Sequence, residues 1–301
     1  MRRCANILLL LVALLISGCG KSSRVVVLYT SQDQIYAEPL IAEFTKQTGI
    51  KVLPVFDSES VKTAGLVQRL IAEKNHPVAD VFWSNEEMLA RQLVARGVLN
   101  SNYVAHVGER TRRIVINTNK VSIAEAPRSV AGLADPKWRG KVAMAYPVYG
   151  TTAAHMARLR EVWGDEKWKQ WCERFAANKP LIVDGNSVVV KLVGAGEASI
   201  GVTDSDDVAA GLRNNLPIAA VPIEPMFNDE YLRIPNTIGI VNGAEDKNAA
   251  REFYEFAQSE KTLAALVAVN ALENVHGGSS ISISRPIEET SAIVASIFKR
   301  Q

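Results

Sequence analysis

The chain has 301 residues, 48% hydrophobic and 22% charged, with a formal net charge of +2. No basic block points to nucleic acid, and no low-complexity or single-sign run points to a disordered chain. The length suits one large or two medium α/β domains.

Met1–Arg2–Arg3 opens the chain with positive charge, and Ile7 to Ile16 is an unbroken apolar run that ends in Ser17, Gly18 and Cys19. A charged start before an apolar run too short for a mature spanning helix is a secretory signal, read over residues 1–18. No later stretch approaches the roughly 18 apolar residues a spanning helix needs.

Arg24 to Tyr29 is β-branched and reads as a buried first strand. Tyr36 to Gln47, with Leu40, Ile41 and Phe44 on one face, reads as a helix stopped by Gly49. Ile50 to Phe56 returns as a strand. Asp57 to Ser60 offers N-cap chemistry for a helix burying Val61, Ala64, Val67, Leu70 and Ile71. Ala79 to Trp83 is a third strand, and strand–helix–strand–helix–strand predicts parallel pairing through right-handed crossovers. Arg112 to Asn117 reads as a strand, and a second α/β block follows. Its strands are Lys141 to Tyr146, Leu181 to Val183, Ser199 to Thr203 and Ile218 to Ile223, with helices at Ala153 to Val162 and Ser187 to Gly194. Thr237 to Val241 is one more strand, and Lys247 to Leu266 reads as one amphipathic helix.

Polar residues able to hold a ligand recur just after strands. They are Ser31 and Asp33, Asp57 and Ser58, Asn85 and Glu86, Gly150 to Thr152, Asn186 and Ser187, and Asp204 to Asp207. Ligands of open α/β sheets bind at the carboxyl ends of strands, so two such sheets facing each other would gather these loops in a cleft. A hydrolase lacks support: no Gly-x-Ser-x-Gly occurs, and His76, His106, His155 and His276 show no metal-ligand spacing. Cys172, between Trp168 and Phe175 in a helical stretch, reads as a buried structural thiol. Trp163, Trp168 and Trp171 read as core, and Trp83 as a candidate for the cleft wall.

Leu15–Ile16–Ser17–Gly18–Cys19 resembles a bacterial lipobox, which implies cleavage before Cys19 and a lipid on its sulfur. A stretch from Cys19 to Arg24 would then be a tether, and a membrane would hold the exported chain by acyl groups alone. With Cys4 removed and Cys19 acylated, no intramolecular disulfide is possible.

Val25–Tyr29 with Phe44–Val52, Ala79–Glu86, Leu133–Val142, and Ile234–Thr237 with Ala249–Phe253 resemble, in order, bacterial extracellular solute-binding proteins of ABC importers. The iron(III)-type periplasmic proteins are the most similar. The resemblance implies an α/β, type II two-lobed clamp, each lobe a mainly parallel sheet flanked by helices. One lobe would comprise residues 25–115 and 225–275, the other 116–224, with 276–301 a C-terminal helix of unassigned lobe. It implies a monomeric binder, not an enzyme, that passes one small solute to a membrane permease and its ATPase, in the periplasm or on the outer surface.

Iron(III) carriers of this group present a first-loop histidine or acid, a carboxylate after the third strand, and paired tyrosines from the second lobe. Asp33 stands at the first position here, and Asn85 or Glu86 at the second. Asp206–Asp207 replaces the tyrosine pair, and Tyr149 is the candidate for a remaining phenolate. Four solutes stay open. Asp33, Glu86, Asp204, Asp206 and Asp207 could hold Fe(III), another cation or an amine, or Asp206 and Asp207 could simply cap the next helix. Tyr149–Gly150–Thr151–Thr152, with Asn186 and Ser187, could seat an anion at helix N-termini, either beside the metal or as the phosphate or phosphonate group of an organic solute.

Overall fold

The computed structural model describes residues 24–57, 64–223, 233–273 and 286–298. The signal, Cys19 and Ser58 lie outside the described residues.

β1 (Val25–Thr30) runs parallel to both β2 (Lys51–Phe56) and β3 (Val81–Ser84), as the strand–helix alternation predicts. The connecting helix α1 (Gln34–Thr48) buries Tyr36, Ala37, Ile41 and Phe44. It ends where Gly49 takes φ 73°, a left-handed turn that glycine adopts without a Cβ clash. α2 (Ala64–Ala72) and α3 (Glu87–Ala95) cover the other face.

β4 (Leu99–Asn117) is far longer than the predicted Arg112–Asn117. Its first part carries Asn100, Ser101, Asn102, His106 and Glu109 and two register shifts, so no period-2 apolar pattern survives to be read there. It pairs antiparallel first with β9 (Arg233–Val241), then, over Arg112–Asn117, with β7 (Ile200–Asp204) and β8 (Ile218–Pro222). One strand therefore belongs to two sheets. The first has the order β2-β1-β3-β9-β4; the second continues β4-β7-β5-β6, with β5 (Val142–Ala145) parallel to β7 and to β6 (Leu181–Val183). The second sheet is flanked by α4 (Gly150–Trp163), α5 (Asp165–Ala177), α6 (Asn186–Ala195) and α7 (Ser205–Arg213).

Each sheet has its own apolar core. One joins Phe44, Trp83 and Phe253; another joins Trp168, Trp171, Phe175, Val294 and Phe298. Trp83, a candidate for the cleft wall, is instead fully buried against Phe253, with ring centroids 6.3 Å apart. The last helix, α10 (Ile287–Ile297), packs on α4 and α5 through Val294 and so sits on the second lobe. The single helix expected over Lys247–Leu266 is two, α8 (Lys247–Ala257) and α9 (Glu260–Ala268). Ser259 breaks it by acting as an N-cap, its Oγ accepting from the Thr262 amide at 3.2 Å.

α6 lies so close on the sheet that a Cβ at Gly201 would stand 2.3 Å from Val189 Cγ1. Only a glycine permits that approach. Cys172 is fully buried, and burial, helped by Glu173, pushes its thiol up to about 12. We expect no alkylation of the native protein by iodoacetamide at pH 8 and stoichiometric alkylation in denaturant; labelling of the native state would show that the second core opens locally.

Candidate functional site

The carboxyl ends of β1, β3, β5, β6 and β7 face one another across the gap between the sheets. β1 delivers Asp33, β3 Asn85, β5 Tyr146 to Gly150, β6 Asp184 to Asn186, and β7 Asp204 and Asp207. Arg110, from the strand common to both sheets, closes the floor. The cleft encloses about 40 Å³, the space of about three water-sized spheres. α4 and α6 both begin at its wall, at Gly150 and Asn186. Gly150 has φ 54°, which turns the chain into α4 just as it reaches the cleft.

The cleft is held shut by polar contacts from lobe to lobe. The Tyr36 hydroxyl donates to the Asp206 carbonyl at 3.1 Å. Arg213 donates to the Tyr36 oxygen, and through Nη1 to the Val269 carbonyl at 2.7 Å. Glu86 faces Arg158 at 3.6 Å, both almost fully buried. Gln92 on α3 donates to Glu288 on α10.

Asp204 is the hub of the site. Its Oδ1 accepts from Arg112 Nη1 at 2.5 Å; its Oδ2 accepts from Thr151 Oγ1 at 2.8 Å, Asn186 Nδ2 at 3.1 Å and Arg110 Nη1 at 3.3 Å. Burial opposes its charge, but Arg112 and Arg110 outweigh burial and hold its carboxyl below the usual value. Arg110 also donates to Asp206 Oδ2 at 2.8 Å, to the Asn85 carbonyl at 2.7 Å and to Asn236 at 3.3 Å. Burial works against its charge too, yet Asp206 and Asp204 raise its pKa above the ordinary value. His155 is pushed well below its usual value by burial beside Arg112 and Arg158. It is therefore neutral, and its Nδ1 accepts from Arg112 Nε at 3.3 Å.

Among the predicted site residues, Asp33, Asn85, Tyr149, Gly150, Thr151, Thr152, Asn186, Asp204 and Asp207 line the cleft together. Five others do not. Ser31 is buried beneath the wall, exchanging hydrogen bonds with Asn85 at 2.9 Å. Asp57 receives the Leu66 amide at 3.3 Å, at the start of α2. Ser187 sits in the first turn of α6.

Glu86 and Asp206, expected as cation ligands, are buried and do not line the cleft, although a carboxylate oxygen of Asp206 lies within 4.8 Å of one from each of Asp204 and Asp207, a grouping that could hold a cation. Glu86 caps α3 by accepting the Met88 amide at 3.2 Å, and burial raises its pKa despite Arg158. Asp206 is turned to Arg110. Of the two residues expected after the third strand, Asn85 is therefore the one that lines the cleft. Asp206 and Asp207 occupy the first turn of α7, whose N-cap is Asp204; Asp207 accepts from Thr203 at 3.1 Å.

Arg110, Arg112 and Arg158 escaped the sequence reading. A usable signal existed: Arg110 and Arg112 are two apart on a strand that becomes apolar at once after Arg113, so they share a face. Charges in such a position need buried partners.

Two sheets joined by a shared strand, with loops from strand ends meeting between them, define a clamp-type binding protein. The chain belongs to the bacterial extracellular solute-binding protein family, whose model matches residues 26–268. It is a solute-binding protein, not an enzyme. It is 26% identical to iron uptake protein A1 of Synechocystis, over 85% of this chain and 80% of that one. Its fold is that of iron-bound HitA from Pseudomonas aeruginosa, with TM-score 0.78 and 17% identity, covering 91% of this chain and 99% of HitA. The fructose-6-phosphate-bound AfuA of Actinobacillus pleuropneumoniae also has this fold, with TM-score 0.75 and 17% identity, over 91% of this chain and 98% of AfuA.

Proposed function

We propose that this protein is the capture component of an ABC importer, exported and tethered through an acylated Cys19, whose lobes (residues 25–115 with 225–275, and 116–224) close on a hard cation, Fe(III) first among them, accompanied by a small anion. The observation that carries this reading is the donor set of the cleft. Asp33, Asp184 and Asp207, with the phenols of Tyr146 and Tyr149, line it with Asp204, whose charge Arg110 and Arg112 already share. Carboxylate and phenolate oxygens are the ligands a hard cation prefers. The N-terminal amides of α4 and α6 favour an anion by their orientation and dipole. The relatedness to iron uptake protein A1 and the shared fold with iron-bound HitA support the same cargo.

A second reading has its own observation. Arg110, Thr151 and Asn186 converge on Asp204 at the head of both helices, donors for which a phosphoryl group would compete with that carboxylate. AfuA, of the same fold, is known with exogenous fructose-6-phosphate bound.

Titration of the soluble chain with ferric nitrilotriacetate and, separately, with inorganic phosphate discriminates the two. For the first reading we expect a visible tyrosinate-to-iron absorption band and a rise in melting temperature, both lost in Asp33→Ala and weakened in Tyr149→Phe. Phosphate stabilisation without any iron band would overturn it in favour of the second.

A further inference from the structure

A second, larger space adjoins the polar cleft. Tyr146, Tyr149 and Gly150 line both, and the second encloses about 420 Å³. That space lies between the two lobes. Val67 on α2 and Leu89 on α3 come from one; Val148, Ala153 on α4, and Ile287 and Ala292 on α10 come from the other. The hydrogen bond from Gln92 to Glu288 bridges it, so the groove is completed by the same closure that shuts the cleft. Its volume falls in the range of ordinary small-molecule pockets, whereas the cleft has room only for a compact polar group.

Resting on the reading of the cleft as the solute site, we infer that the solute carries a neutral apolar organic body with at least one aryl ring, seated in this groove while its oxygen-rich head occupies the cleft. The tilted Tyr146–Tyr149 pair, with centroids 5.9 Å apart, forms the wall common to both spaces, so a solute that fills both would pass along these rings. Aliphatic and small side chains supply the apolar surface that a ring buries. Glu288 at the rim disfavours an anionic body and leaves the negative charge of the solute to the head. The same chemistry has two sources: an aryl ligand that chelates the cation, or an aryl ester of phosphate.

Isothermal titration of the whole soluble chain with matched pairs tests this. One pair is ferric ion presented with salicylate against ferric ion presented with oxalate; the other is phenyl phosphate against inorganic phosphate. The aryl member of one pair should bind at least about tenfold tighter, and the pair that shows it identifies the source. Ala292→Trp, an exposed position that fills the groove, should abolish that advantage and leave the non-aryl member unchanged. Equal affinities within both pairs would overturn the inference while leaving the cleft reading intact. Absence of binding by all four probes would overturn the cleft reading, and the inference with it. An aryl advantage that persists in Ala292→Trp would place the ring elsewhere and also refute the groove.

Discussion

Arg110→Ala is expected to cost about 3–5 kcal/mol of stability, because it leaves carboxylates buried beside the position the guanidinium held. Arg110 is 2% exposed, and so are Asp204 and Asp206, which it bonds at 3.3 and 2.8 Å. Arg112 still meets Asp204 on the other side, so Asp206 suffers most. The carbonyl of Asn85 and the side chain of Asn236 lose donors as well. Asp206→Asn added to Arg110→Ala should recover part of the loss, since it removes the stranded charge; no recovery in urea unfolding would mean that the pair is not the source of the effect. The pH dependence has a definite sign. Asp204 is held below its ordinary 3.8, so its contribution is fully present above that pH and is lost as pH falls further through the depressed value. Acid unfolding should therefore shift to higher pH in the Arg110 variant. Arg110 also fastens β4 to the loop after β3, so cargo affinity should fall together with stability.

Trp171→Ala should cost a similar amount, about 3–5 kcal/mol, with cargo affinity at native conditions unchanged. Trp171 stacks on Phe175 with centroids 5.1 Å apart and planes 10° from parallel, and Trp163 meets it edge-on at 5.8 Å. Its Nε1 donates to the Val130 carbonyl at 3.0 Å. Alanine would leave a cavity beside two aromatic rings, while the Val130 carbonyl would keep only the Leu133 amide, at 3.2 Å, as a donor. Trp171→Phe keeps a ring to stack on Phe175 and loses the hydrogen bond and part of the indole's volume, so it should recover most of the stability. Equal losses for the two variants, measured as urea midpoints, would assign the effect to the hydrogen bond rather than to packing.

The difference between these two residues shows what could be read from the chain alone. Trp171 belongs to a helix whose apolar residues recur with helical spacing, and that period identifies a core face in any helix of this kind. Arg110 has no local signal of comparable strength. Its partners lie 94 and 96 residues further along, and only their meeting across two sheets makes a buried arginine tolerable.

The alternation of strands and helices by itself determined the α/β character and the parallel pairing of β1 with β2 and β3. It also set the position of most candidate site residues at strand ends, because hydrophobic period and loop polarity are local properties. The length of β4 was not legible, since its bulged, polar first half pairs through backbone groups that leave no side-chain pattern. Nor could the chain alone show which acids face the solute. Asp207 and Asp206 are neighbours with the same chemistry, and Asn85 and Glu86 likewise form an adjacent polar pair. Tertiary packing decided that Asp207 and Asn85 look into the cleft while Asp206 and Glu86 look back at Arg110 and Arg158. The physical reason is that a carboxylate's role depends on the nearest opposite charge, and here those charges arrive from distant parts of the chain.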